Sequence, residues 1–187
     1  MWDRDVRFAV RERLQREHCG DDDTRIVEEM GIWNGAVRVD VAVINGELAA
    51  YELKSARDTL TRLPNQAALY SLVFDRVSLV AAEKHLEAAQ MKIPEWWGVI
   101  RARTCGDSVE LEEVRKAQRN PSQDPIQLAK LLWKEETIGL LQANNALTGH
   151  RSASRDQLAR RLTEVLDHSA LAHGVRRCLK DRSTWLR

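Results

Sequence analysis

No apolar run in the chain approaches the roughly 20 residues needed to span a bilayer, so a membrane-spanning helix is not expected. The opening residues, Met1-Trp2-Asp3-Arg4-Asp5, lack a basic stub followed by an apolar stretch, so no secretory signal is expected there. Cysteine is scarce. Cys19, Cys105 and Cys178 are odd in number and show no CxxC spacing, which argues against a zinc site or a disulfide framework and makes the cytoplasm the default compartment. His85, His150, His168 and His173 share no helical face and no ligand spacing, so surface placement is expected. Internal repeats and low-complexity tracts are absent.

What is present is an ordinary globular balance. Of 187 residues, 43% are apolar and 30% charged, enough for one α/β domain with a helical extension or for two small domains. The net charge of +1 hides an asymmetry. Residues 1–115 carry 16 Lys+Arg against 21 Asp+Glu, and residues 116–187 carry 13 against 7. The acidic front suits a carboxylate site, and the basic tail suits a polyanion.

Val6, Val10 and Leu14 predict an amphipathic helix from about Asp3, its N-cap, to His18, with Gly20 after it. A second short helix is expected from Asp21 to Met30, stopped by Gly31. Strands are predicted over Val37–Ile44 and Glu47–Lys54, joined at Asn45-Gly46, and over Arg76–Ala82. Pro64 starts a helix running to Phe74, and Glu83–Lys92 reads as helical. Val99–Arg103 and Val109–Val114 form a terminal hairpin around the Cys105-Gly106-Asp107 turn. The polar, proline-bearing stretch 116–125 separates a core (1–115) from a helical, basic region (126–187), with helices near Pro125–Asn144, Ser154–Leu166 and Ser169–Asp181.

The hairpin carries the chemistry. Val37, Val39, Val41 and Val43 are odd-numbered, as are Ala49, Tyr51 and Leu53, so period-two alternation puts Asp40, Glu52 and Lys54 together on the even face. A two-residue turn would break this by pairing Ile44 with Glu47. An odd-length loop, with Gly46 left-handed as a bulge, keeps the valine row in the core. Two carboxylates supply hard oxygen ligands for Mg²⁺, or Mn²⁺ as a substitute. A lysine beside them can orient a water or neutralise a phosphate in transition.

This pattern resembles the PD-(D/E)XK nuclease superfamily, with Asp40 on one strand, Glu52-Leu53-Lys54 on the next, then a helix with Gln66 and a third strand. The superfamily's proline is replaced by Val39. The resemblance implies a restriction-endonuclease-like core, a mixed sheet flanked by helices, with an all-helical C-terminal extension. It also implies a glutamate from the preceding helix, Glu28 or Glu29. Glu29 lies nearer the stripe of Ile26, Val27 and Met30, so Glu29 joins Asp40 and Glu52 as the expected metal set. Gln66 completes the catalytic group.

The run E-L-K-S-x-R-D-T-L-x-R-L-P-x-Q from Glu52 is similar to a group of small bacterial and prophage-encoded PD-(D/E)XK proteins. So are P-x-W-W-G (Pro94 to Gly98), L-L-W-K-E-E (Leu131 to Glu136) and Trp185-x-Arg187. The implied activity is that of a Mg²⁺-dependent deoxyribonuclease, with nucleic acid, DNA before RNA, as partner, no membrane, and a homodimer possible. The alternative is a non-catalytic nucleic-acid-binding or protein-interaction (accessory or regulatory) protein that keeps the fold. Arg57 and Arg62, directly after the E-x-K strand, are candidates for holding phosphates. Arg160 and Arg161 head a basic set with Arg151, Arg155, Arg176, Arg177, Lys180 and Arg182. Packing is the expected role of Trp96-Trp97.

Overall fold

The computed structural model describes residues 2–33, 35–106 and 108–183. The expected Trp185-x-Arg187 element and Asp107 of the terminal turn lie outside them. Helix α1 (Asp3–Glu17) comes first, followed by strands β1 (Arg25–Ile32), β2 (Val37–Ile44) and β3 (Leu48–Lys54). Then come α2 (Leu63–Tyr70), β4 (Arg76–Ala82), a 3₁₀ turn, α3 (Leu86–Gln90), β5 (Gly98–Cys105) and β6 (Ser108–Arg115). Helices α4 (Pro125–Ala129), α5 (Lys134–Ala143), α6 (Arg155–Val165) and α7 (His168–Asp181) finish the described chain. The six strands form one mixed sheet in sequence order, antiparallel except that β3, β4 and β5 run parallel. The molecule is thus an α/β protein with helices on both sheet faces. Among the described residues no helix is long and apolar enough to cross a membrane.

Both faces of the central strands are buried. On one, Val6, Val10 and Leu14 of α1 pack on Val41, Val43, Leu53, Val80 and Ile100. On the other, Ile44, Leu48, Ala50, Val77 and Leu79 lie with α2, α3 and the C-terminal helices in a single cluster that extends to Leu179. Each fully buried Val or Leu contributes roughly 1.5–3 kcal/mol, so the two faces hold the layers together from both sides. The even face of the hairpin is therefore a core face, not a solvated one.

The hairpin register follows the valine row. Val41 pairs with Tyr51, Ala42 with Ala50, Val43 with Ala49 and Ile44 with Leu48, leaving a three-residue loop. Gly46 is not in the left-handed region, contrary to the expected bulge. Asn45 closes the loop instead. Its N–H donates to the Glu47 carbonyl (3.0 Å), and its Oδ1 accepts from the Glu47 N–H (2.9 Å).

The expected helix over Asp21–Met30 is strand β1. Glu28 pairs with Val41 and Met30 with Val39, so Glu29 and Asp40 face each other across one rung. Glu29 is left-handed there (φ 52°). Val27 and Met30 lie in the same cluster, as do Val39 and Ala42 across the pair, so alternation slips by one in both strands at that rung. Other boundaries shift for local reasons. Trp2, not Asp3, caps α1, with the Trp2 N–H donating to Asp5 Oδ2 (2.7 Å). Helix α2 ends at Tyr70 and continues to Phe74 as turns. The expected helix over Glu83–Lys92 is a 3₁₀ turn plus the short α3. The expected helix over Pro125–Asn144 is broken between α4 and α5, where Trp133 starts α5 and Glu136 accepts its N–H (2.6 Å).

Residues 116–125 form no helix or strand up to Asp124, yet they are fastened down. The Gln118 N–H donates to the Trp96 carbonyl (2.8 Å), and that of Asn120 to the Asp75 carbonyl (2.8 Å). Asn120 Nδ2 donates to the Ser71 and Phe74 carbonyls (2.7 and 2.9 Å). Gly98 admits this strap: a Cβ there would lie 2.8 Å from Ser78 Oγ and 2.9 Å from Ala117 N.

Candidate functional site

The site forms where β2 and β3 part beyond the Val41–Tyr51 rung. The Leu53 N–H turns to a side chain there, donating to Asp40 Oδ2 (2.8 Å). Glu52 and Lys54 stand two residues apart on the core face, beside Leu79 and Ala81 of β4. Both are buried, Lys54 to 4% exposure. The Lys54 ammonium contacts Glu52 Oε1 and donates to Gln66 Oε1 (3.1 Å). Asp40, Glu52, Lys54 and Gln66 are therefore brought together.

Two further residues belong to the group. The Tyr70 hydroxyl donates to Glu52 Oε2 (2.8 Å) and lies 3.1 Å from the Arg38 carbonyl. Burial, with the Glu52 charge beside it, pushes the Tyr70 phenol above its ordinary value, so it stays a donor. Its ring is stacked over Trp97 (6.1 Å, 12°) and meets Phe74 edge-on (5.6 Å). Trp97 is fully buried, so the tryptophan pair packs as expected and braces the site from below. Tyr70 lies one turn after Gln66 on α2, and that i, i+4 spacing could have marked it.

Arg7 of α1 enters from the opposite side. Its Nη1 donates to the Asp40 carbonyl (2.9 Å), and its Nη2 meets Asp40 Oδ1 (3.2 Å), Glu29 Oε1 (2.8 Å) and Asp3 Oδ2 (3.3 Å). Burial opposes its charge, but Asp40, Asp3 and Glu29 outweigh this and hold the guanidinium above its ordinary value. Glu29, reached from a strand and not a helix, thus points to Arg7, and also lies 3.4 Å from Arg38 Nη1. Glu28 turns away to Arg11 (3.4 Å).

Burial and the neighbouring Glu52 charge push Asp40 up to about 6, against the pull of the Leu53 N–H, Arg7 and Lys54. Two crowded carboxylates with oxygen donors are what a hard divalent cation relieves, and in donor chemistry Asp40 and Glu52 fit Mg²⁺. Among the described residues no group of three or more His, Cys, Asp or Glu is arranged to hold a metal. Glu29 is engaged by arginines instead.

An unfolded aspartate titrates near about 3.9. Asp40 binds its proton more tightly in the fold, so its contribution to stability is full below about pH 4 and is lost as pH rises through about 6. In metal-free buffer, calorimetry should find Asp40→Asn gaining on the wild type in melting temperature between pH 4 and 7. A difference independent of pH would refute the shift.

The outlying candidates scatter. Arg57 and Arg62 are exposed after β3, and the Arg57 guanidinium lies 3.0 Å over the Trp2 ring. Arg160 is exposed and Arg161 pairs with Glu164 (3.0 Å). Arg176 reaches buried Asp75 (3.6 Å), and Lys180 contacts Asp23. Arg182 is buried. Much of the basic tail thus serves packing. A cavity of about 1340 Å³ opens between α1 and β6 around Phe8 and Leu111, away from the carboxylates.

The family model described as bacteriophage P4 protein cII matches residues 2–185. Among curated proteins the chain is similar to protein cII of Enterobacteria phage P4, 30% identical over 116 residues, a stretch covering 62% of this chain and 44% of that protein. The match thus spans less than half the length of that relative. No solved structure matches.

Proposed function

The chain belongs to the bacteriophage P4 protein cII family, and from its site we propose that it hydrolyses phosphodiester bonds of nucleic acid, DNA in the first instance, with Mg²⁺. The convergence of Asp40, Glu52, Lys54 and Gln66 where two neighbouring strands part is the observation that carries this reading. The order of α1, the Asp40 strand, the E-x-K strand, α2 and parallel β4 agrees with a restriction-endonuclease-like core, with β1 at the sheet edge.

Asp40 and Glu52 would hold Mg²⁺, or Mn²⁺ in its place. When bound, such an ion polarises a phosphoryl oxygen and lowers the pKa of a water. Tyr70 fixes the Glu52 carboxylate, and Gln66 aims the Lys54 ammonium at the phosphate, where its charge counters that of the transition state. Exposed Arg57, Arg62 and Arg160 attract the backbone. The test is incubation of linear, circular, single-stranded and branched DNA with Mg²⁺, Mn²⁺ or EDTA. Cleavage that EDTA and Asp40→Asn each remove is the expected result.

The second reading is a nucleic-acid-binding or protein-interaction protein that keeps the fold without catalysis. It is favoured by the way Arg7 and Arg38 meet Glu29, while Lys54 and Tyr70 meet Glu52, with protein groups alone. Binding of DNA without cleavage under every metal condition would establish it over the first.

A further inference from the structure

Arg7, which the sequence patterns did not associate with the site, takes the central place among the carboxylates. Its guanidinium is largely buried, at 17% side-chain exposure. Nε and Nη2 both lie 3.3 Å from Asp3 Oδ2. Nη2 also bridges Glu29 on β1 and Asp40 on β2, which face each other across one rung. The backbone is shaped for this contact. Glu29 holds a left-handed φ of 52°, unusual for a residue with a side chain, and strain of that kind concentrates at functional positions. The same Asp40 carboxylate is the oxygen donor that faces Glu52. A divalent ion at Asp40 and an arginine at Asp40 place two like charges within a few Å, where repulsion is strong.

We infer that Arg7 is a resident cation of this site: without metal it pairs with Asp40 and Glu29, and a divalent ion binds only as Arg7 withdraws towards Asp3. This rests on the metal-dependent reading above and adds a competition to it. Asp3, one turn earlier on α1, is the carboxylate that keeps the guanidinium when Asp40 and Glu29 are released. The consequence is an affinity for metal set by how firmly an arginine is held.

The test is calorimetric titration of Mn²⁺ into the full chain and two variants, after thermal melts show that each is folded. Arg7→Met keeps the aliphatic stem and removes the charge, and Arg7→Lys keeps the charge. Arg7→Met is expected to bind Mn²⁺ at least about tenfold more tightly, the change that 1.4 kcal/mol produces, while Arg7→Lys stays within about threefold of the wild type. If Arg7→Met binds as the wild type does or more weakly, Arg7 is only a clamp and the inference is overturned. If neither wild type nor Arg7→Met binds Mn²⁺, the metal-dependent reading itself fails and takes this with it. Should Arg7→Met not fold, the wild type still decides. Its Arg7 Nε–H resonance, assigned by its loss in folded Arg7→Lys, must shift on saturation with Mg²⁺, and an unmoved resonance overturns the inference.

Discussion

Lys54→Ala is expected to remove the proposed nuclease activity and to destabilise the fold by about 3–5 kcal/mol, the cost of stripping one partner from a buried ion pair. From the hairpin pattern alone Lys54 reads as a surface lysine whose loss spares folding. Its burial to 4% exposure, against a Glu52 that is 1% exposed, reverses that expectation. Without the ammonium, Glu52 keeps the Tyr70 hydroxyl, and Gln66 Oε1 loses the Lys54 donor. The effect on turnover should be on the order of 10²–10³, as for a lost oxyanion donor. The double variant Glu52→Gln, Lys54→Met separates the two effects, because it removes both charges and should regain most of the stability without any cleavage. Denaturant melts and single-turnover assays read the outcome. A Lys54→Ala protein with wild-type stability would show that the pair contributes nothing to the fold, and one with wild-type turnover would remove Lys54 from the chemistry.

Arg182→Ala should cost a similar amount, about 3–5 kcal/mol, although it lies in the basic tail where phosphate contacts were expected. Its Nε and Nη2 take both oxygens of Glu136 (2.7 and 2.6 Å), Nη2 also donates to the Leu131 carbonyl (2.7 Å), and its guanidinium lies 4.3 Å over Trp133. The L-L-W-K-E-E element is thereby explained as the cradle of an arginine fifty residues further on. Arg182→Lys should recover little, since an ammonium cannot bridge both oxygens in that fork. Arg160→Ala, by contrast, should change stability by no more than about 0.5 kcal/mol. Urea unfolding of the three variants is decisive, and an Arg182→Ala protein within 1 kcal/mol of wild type would contradict the assignment.

Much of this architecture is legible in the chain. Strands β2 to β6 announce themselves by alternation and turn residues, and the valine row chooses the register of β2 on β3 correctly. Glu52, Lys54 and Gln66 meet because period two and the first turn of a helix carry them to one place, and Asp40 joins them through the Leu53 N–H at the rung where alternation slips. Strand β1 is illegible for a definite reason. The left-handed Glu29 slips its alternation, so Val27 and Met30 point the same way at a spacing of three, as they would on a helix. Arg7 is hidden because its partners lie 22 and 33 positions away, and only the packing of α1 on the sheet brings them within reach. The arginines of the tail read as a patch because composition records charge but not which side chains are folded inward.

The hydrogen bond from Arg25 to the Lys180 carbonyl joins β1 to α7 across 155 positions of sequence. Helix α7 also packs on β2 and supplies Leu171, Val175 and Leu179 to the cluster that holds Met30 and Ile44. Closure over so long a span is entropically slow, and chains dominated by distant pairings fold late relative to those with local ones. During synthesis the part of that side of the sheet that α7 covers must therefore wait, greasy and uncovered, until α7 has left the ribosome. A nascent chain arrested before residue 168 would present that side to any neighbour, which makes the interval before release the period of greatest exposure to aggregation and to chaperones.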